Sequence, residues 1–190
     1  MNFNEAIAAV LALTSRPDKA SYTAQAINEA ISFCTLLGEF RNDMIETSIN
    51  VSATLYGASI SISTLTRFRR FLYVKPYGKY YYLNPIGQDK LFTPKGNMQP
   101  DAYFIAGTSL TYTLSELNTS LLIGYLSRAA VLDTVTVTTH WMLTEIPYAI
   151  INLAAAKVFQ EVGDDASYRS FDTKGMDMFH AFRNDHDSGD

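Results

Sequence analysis

Residues 59–63 read Ser-Ile-Ser-Ile-Ser, a strict alternation of polar and apolar side chains. Because neighbouring side chains of a β-strand point to opposite faces, a period of two predicts a strand with one buried face. Residues 67–74 continue with aromatic and β-branched side chains, which also favour strands. The middle of the chain, about residues 45–138, is therefore predicted to be an antiparallel β module.

Shorter strand-like runs follow at residues 102–106, 109–114 and 120–126. Residues 76–79 read Pro-Tyr-Gly-Lys, a turn sequence that predicts a β-hairpin over residues 67–83. Residues 131–138 alternate Val with Thr, and periodicity alone does not decide between a strand and a connection.

Outside this middle region the apolar spacing is close to the helical period. Asn2 and Glu5 resemble a capping box that opens a first helix, and Gly38 supplies a stop for a second. A third helix is predicted to start near residue 144 or 145, because Pro147 fits only a first turn. A fourth, short helix is predicted to follow it. The predicted fold class is α+β. Residues 1–44 and 143–182 are expected to form a small antiparallel helical bundle, residues 45–138 an inserted module, and residues 183–190 a flexible acidic end.

Composition favours a soluble protein of a reducing compartment, and its charge is unevenly distributed. The single cysteine, Cys34, lies among apolar residues and is expected to be a buried thiol in a protein of a reducing compartment. No signal peptide and no apolar run of about 18 residues is found, so we expect a soluble chain. The net charge of −4 is uneven: residues 67–95 hold seven basic residues and one acidic, and residues 163–190 hold seven acidic and three basic.

Few residues suggest catalysis. His140, His180 and His186 have no second donor at a ligand spacing on a regular element. The chain also lacks a phosphate-binding loop and a nucleophile elbow. The sequence therefore predicts a protein that is not an enzyme and uses no cofactor and no metal.

The strongest chemical signal is the run at residues 67–82, called here the aromatic-basic segment. Tyr and Arg are enriched at protein interfaces, which favours a docking role. Single-stranded nucleic acid could instead stack on the rings while the cations follow phosphate, and an ordinary strand pair is a third reading. The candidate interface residues are Arg67, Arg69, Arg70, Lys75, Lys79, Tyr80 and Tyr82.

The order of segments is similar to that of a known family. Its markers lie at residues 14–19, 26–30, 100–107, 109–114, 120–125, 146–148 and 154–156. In this order and spacing, residues 3–170 resemble the head-to-tail adaptor (connector) proteins of tailed bacteriophages, most closely those of short-tailed phages.

The resemblance implies a structural virion protein. About twelve copies would form a ring below the portal protein, extend the DNA channel and carry the tail tube or nozzle protein. DNA would pass during genome ejection without sequence-specific binding, and no membrane would be involved. The chain would reside at the head–tail junction, and in the host cytoplasm during assembly. The C-terminal segment would dock on the portal, with Tyr168, Phe171, Phe179 and Phe182 as candidate anchors.

Overall fold

The computed structural model of the chain describes residues 1–52, 58–87, 90 and 99–187, with the backbone alone for the last two. The chain forms two compact units. The helical unit comprises residues 1–42 and 128–190, and the β unit comprises residues 43–127. The predicted α+β class, with helices from both chain ends and a sheet region between them, is confirmed.

The helical unit is built around one nearly enclosed helix. Five helices are described: α1 (Phe3–Thr14), α2 (Ala20–Leu37), α3 (Trp141–Glu145), α4 (Pro147–Glu161) and α5 (Asp165–Asp187). Helix α4 packs against α1, α2 and α5. Its Ala149, Ala154 and Ala155 are buried and small enough for neighbouring helices to approach closely. The expected packing of helices from the two chain ends against each other is confirmed for α1 and α2 on α4.

Helix ends follow the sequence signals in part. The capping box is present, since the Asn2 side chain accepts from the Glu5 N–H and the Glu5 carboxylate accepts from the Asn2 N–H, both at 2.9 Å. The predicted start of the third helix differs, because short α3 comes first and Ile146 leaves helical geometry before Pro147 opens α4. Helix α5 runs for 23 residues, longer than the short helix expected. Residues 183–187 are thus helical, and residues 188–190 lie outside the described part.

Residues 131–138 form a connection that belongs to the helical unit. Its backbone groups are bound by the helices. The Asn28 amide donates to the Leu132 carbonyl at 3.0 Å and accepts from the Leu132 N–H at 2.7 Å. The Phe3 N–H donates to the Thr138 carbonyl at 2.8 Å. These bonds replace a strand ladder, so the module ends at Ser127 and not at residue 138.

The β unit contains two sheets that share one apolar core. Strand order is β1-β7-β3 in the first sheet, which is antiparallel, and β2-β6-β5-β4 in the second, where β4 runs parallel to β5. Central strand β7 supplies Leu121, Ile123 and Tyr125 to this core. The strands are β1 (Met44–Asn50), β2 (Ala58–Ser61), β3 (Phe68–Pro76), β4 (Asn84–Pro85), β5 (Ala102–Ala106), β6 (Ser109–Thr113) and β7 (Ser120–Ser127).

The predicted hairpin over residues 67–83 is wrong in its second arm. The turn forms, with Gly78 at φ +75° and the Lys79 N–H donating to the Pro76 carbonyl at 3.1 Å. Residues 79–83 are not a strand, and β3 pairs with β7 instead. The distant strand is the better partner because it buries an apolar face, whereas the local arm would place consecutive tyrosines on alternate faces.

Candidate protein-interaction surfaces

Strand β3 carries the first half of the aromatic-basic segment. Phe68, Phe71 and Val74 pack on the core of the β unit. Two register shifts against β7 interrupt strict alternation along the strand. Arg67 precedes β3 at φ +51° and is exposed. A left-handed backbone is unfavourable for a side chain of this size, so the fold holds Arg67 at the surface against a local preference.

A row of three residues crosses the first sheet. Tyr73 on β3 is opposite Gly124 on β7, which is opposite Glu46 on β1. The phenol of Tyr73 spans the central strand and donates a hydrogen bond to the Glu46 carboxylate. Burial, and then the hydrogen bond to Glu46, raise the pKa of Tyr73 to about 12. The row therefore ties both outer strands of the sheet together with one side chain.

Lys75 lies beside a pair of tyrosine rings. The rings of Tyr73 and Tyr82 are 5.5 Å apart at an interplanar angle of 63°. The Lys75 Nζ is 6.0 Å from the Tyr73 ring centroid and 5.8 Å from that of Tyr82. These distances lie at the outer limit of cation–π attraction. Tyr82 keeps 58% of its surface exposed, so this cluster of ring and cation remains open to a partner.

The turn after β3 displays the rest of the segment. Lys79 forms an ion pair with Glu116, which raises the pKa of the lysine through their hydrogen bond. Tyr77 is mostly exposed, and Tyr80 is fully exposed. Large aromatic side chains held in water cost hydration free energy, and they are typical of contact surfaces.

A shallow cleft of about 400 Å³ adjoins these residues. It is bounded by side chains of β3, of the following loop and of β4 and β5. The lining residues are Leu72, Tyr73, Tyr82, Leu83, Asn84, Pro85 and Tyr103. Its mixed aromatic and aliphatic wall can accept one apolar side chain of a docking partner.

The predicted C-terminal anchors mostly hold α5 in place. Phe179 is fully buried and its ring is 5.9 Å from that of Phe40. Phe182 is half-buried, with ring distances of 6.2 Å to Phe40 and 6.1 Å to Trp141. Phe171 stacks on Phe159 at 5.2 Å and 24°.

Tyr168, the fourth predicted anchor, is half-buried and lines a cleft of about 300 Å³ in the helical unit. Glu29 and Lys157 form an ion pair of 3.4 Å in that cleft. The hydrogen bond from Gln25, followed by Lys157, lowers the pKa of Glu29. Phe33 borders the same cleft with 48% of its surface exposed.

The two units carry opposite net charges. The helical unit has eight basic and fourteen acidic residues, a net charge of −6, and the β unit has seven basic and five acidic residues, a net charge of +2. Of the basic interface candidates, Arg69 and Arg70 have interaction partners within the chain. Lys79 is likewise paired, with Glu116, and Lys75 lies beside the Tyr73 and Tyr82 rings. Arg67 is exposed at the start of the segment.

Three residues of these surfaces were not singled out from the sequence. Glu46 and Glu116 gave no local signal, because their partners are distant in the chain. Gly124 did carry one, since a glycine inside an apolar strand often marks a close approach of another group.

No family description matches this chain, and no curated protein was found to be similar to it. Within the described residues, no helix is both long and apolar enough to cross a membrane. Over the same residues, no group of three or more His, Cys, Asp or Glu side chains is placed to hold a metal ion.

Proposed function

We propose that this chain is a head-to-tail adaptor of a tailed bacteriophage, a virion protein that forms a ring below the portal. The observation that carries the proposal is the arrangement of the chain, in which both ends build one helical unit and the middle builds a β unit. The same order of elements underlies the resemblance of the sequence to the adaptor family. Function then lies in docking, with DNA passing through the ring toward the tail tube or nozzle protein.

Ring formation requires a heterologous contact, in which one face of each copy meets a different face of the next. The opposite net charges of the two units support such a contact, because complementary charge guides association and selects the partner. We assign the β side of this contact to the aromatic-basic segment, with Arg67 exposed before β3 and Lys75 beside Tyr82 near its end. The acidic side is assigned to the helical unit.

Portal docking is assigned to α5. Removal of the whole helix would not test this, since truncation after Val162 also removes Phe179 from the core. The exposed side of α5 carries Asp165, Asp177 and Asp185 and offers a surface that can be changed without disturbing the core. In this proposal that side, together with Tyr168, meets the portal, while the buried phenylalanines keep the helix rigid.

Co-sedimentation with portal-bearing heads tests the ring contact and the portal contact separately. Asp177→Lys with Asp185→Lys should weaken attachment of the first copies to heads. Arg67→Glu should allow attachment but reduce the number of copies bound, because each added copy uses the lateral contact. Arg128→Glu is the matched control, since Arg128 is exposed on the helical unit and the charge change is identical. Equal binding by all variants would refute both surface assignments.

A second function is favoured by one observation. Tyr80 is fully exposed, Tyr77 and Tyr82 are mostly exposed, and Lys75 lies beside the Tyr82 ring. Bases of single-stranded nucleic acid stack on exposed rings of this kind, with nearby cations on the phosphates. Binding of that kind falls steeply with salt. A salt-dependent affinity for single-stranded oligonucleotides that is lost in Tyr80→Ala would favour this reading over the adaptor.

A further inference from the structure

Strand β1 is an outer strand of the first sheet. Strand β1 pairs with β7 along all seven of its residues, with no register shift. Among the described strands, none pairs with its other edge. Alternate backbone N–H and C=O groups along β1 therefore point away from the sheet, in the pattern that another strand requires.

This edge lacks the features that usually prevent strand addition. Edge strands are commonly protected by Lys, Pro or a bulge. Strand β1 reads Met-Ile-Glu-Thr-Ser-Ile-Asn, and its only charged side chain, Glu46, is bound to Tyr73. The opposite outer strand, β3, contains two register shifts and Pro76, and its Val74 carbonyl accepts from the Leu83 N–H at 2.8 Å. Among the described strands, the first sheet is thus protected at its β3 edge and unpaired at its β1 edge.

A groove runs along the β1 edge. It has a volume of about 580 Å³ and is lined by residues 45–50 together with Thr64, Leu65, Thr66 and Tyr125. Along β1 the half-buried residues are Ile45, Thr47 and Ile49, and they alternate with exposed ones. An added strand would remove part of the remaining exposed surface of this half-buried row from water.

The sequence of β1 identifies its occupant. The half-buried row reads Ile-Thr-Ile from either end, so it is symmetric about Thr47. We infer that β1 is a self-association edge, at which β1 of a second copy adds antiparallel around a twofold axis through Thr47. Ile45 then lies opposite Ile49 of the second copy, Thr47 opposite its own counterpart, and Glu46 opposite Ser48. The first sheets of the two copies would join into one sheet of six strands.

Charge also favours this register over a shifted one. A shift that placed the axis at Glu46 would bring two carboxylates face to face, which like-charge repulsion disfavours. With the axis at Thr47, β-branched residues meet across the half-buried row, a pairing that stabilises antiparallel strands. Seven residue pairs form a small interface, so the dimer should be weak and should depend on concentration.

This inference goes beyond the proposed function, because it concerns the free chain without a portal. A twofold contact uses the same surface on both copies and closes on itself, unlike the contact of a ring. The dimer would cover the β1 edge of both copies, so no further strand could add at that edge.

Residue 48 provides a charge test. In the proposed register it faces Glu46 of the second copy, twice in each dimer. Ser48→Lys should tighten dimerisation and Ser48→Glu should weaken it, with dissociation constants at least about tenfold apart, as measured by sedimentation equilibrium without portal. Matching circular dichroism spectra and melting temperatures of the two variants would show that the fold is kept. Equal dissociation constants, or monomers at every concentration, would overturn the inference.

A cysteine test checks the register. Thr47→Cys places two thiols opposite each other and should give an oxidised dimer on a non-reducing gel, whereas Ser48→Cys faces Glu46 and should cross-link much more slowly. The native Cys34 is buried and is present in both variants, so any cross-linking through it is the same in the two. Equal cross-linking of the two variants would exclude the Thr47 axis. Because no portal is used, the result of these experiments is independent of whether the adaptor proposal is correct.

Discussion

The ring of Tyr73 lies so close to Gly124 that a Cβ built on the glycine would be 2.4 Å from it. The ring can lie over the central strand in this way only where that strand lacks a side chain. The contact lets the phenol reach Glu46 on the far strand. The contact thereby links the two outer strands of the first sheet across the central one.

Gly124→Ala should destabilise the protein by about 1–3 kcal/mol, because the added methyl group overlaps the Tyr73 ring and forces it to move. Urea unfolding measures this change. In a Tyr73→Ala background the same substitution should cost much less free energy of unfolding. A double-mutant cycle would then show that the double variant loses less stability than the sum of the two single losses. Equal losses in both backgrounds would mean that the ring is not the obstacle.

The phenol of Tyr73 should lose its proton at a higher pH than an ordinary tyrosine. Its pKa is raised from 10.0 to about 12, first by burial and then by Glu46. Between these values the folded chain keeps a proton that the unfolded chain loses, so the contribution to stability is present below pH 10 and lost as pH rises through 12. Carbon NMR of ring-labelled tyrosine, assigned with Tyr73→Phe, follows this transition. Glu46→Gln should lower the pKa, and an unchanged transition would contradict the pairing.

Cys34 should be unreactive in the native protein. Burial leaves its side chain inaccessible and raises the pKa of its thiol to about 12, so the reactive thiolate is scarce near neutral pH. A thiol reagent should label one group per chain in denaturant and react in native buffer only at the rate of opening of the helical unit. Rapid, complete labelling of the folded chain would show that α2 is not packed as described.

Phe179 should be essential to the helical unit. Phe179→Ala should cost about 3–5 kcal/mol, because it leaves a cavity beside Phe40. Phe33→Ala is the matched control: the same atoms are removed from a side chain that is 48% exposed, so the loss should be smaller. Thermal unfolding followed by circular dichroism compares the two. A small loss for Phe179→Ala would indicate that α5 detaches easily and would reopen this residue as a docking anchor.

The local patterns of the sequence predicted most of the elements. Alternation around Ile60 and helical spacing around Ile27 are set by neighbours within a few residues, and the structure follows them. Cys34, expected to be buried from its apolar surroundings, is buried.

The wrong predictions concern segments whose partners are distant in the sequence. Tyr80 to Tyr82 have strong strand propensity, yet β3 pairs with β7, about fifty residues further along the chain. Residues 131–138 alternate like a strand, but Asn28 binds their backbone. The row through Tyr73, Gly124 and Glu46 joins three separate segments, so no single stretch of sequence contains it.

Electron microscopy of the purified chain, alone and mixed with the portal protein that the proposal gives it as partner, tests the adaptor proposal most directly. The proposal predicts monomers or small oligomers alone, and rings seated on the portal when both are present. Particles that never attach to the portal under any ratio of the two proteins would contradict it.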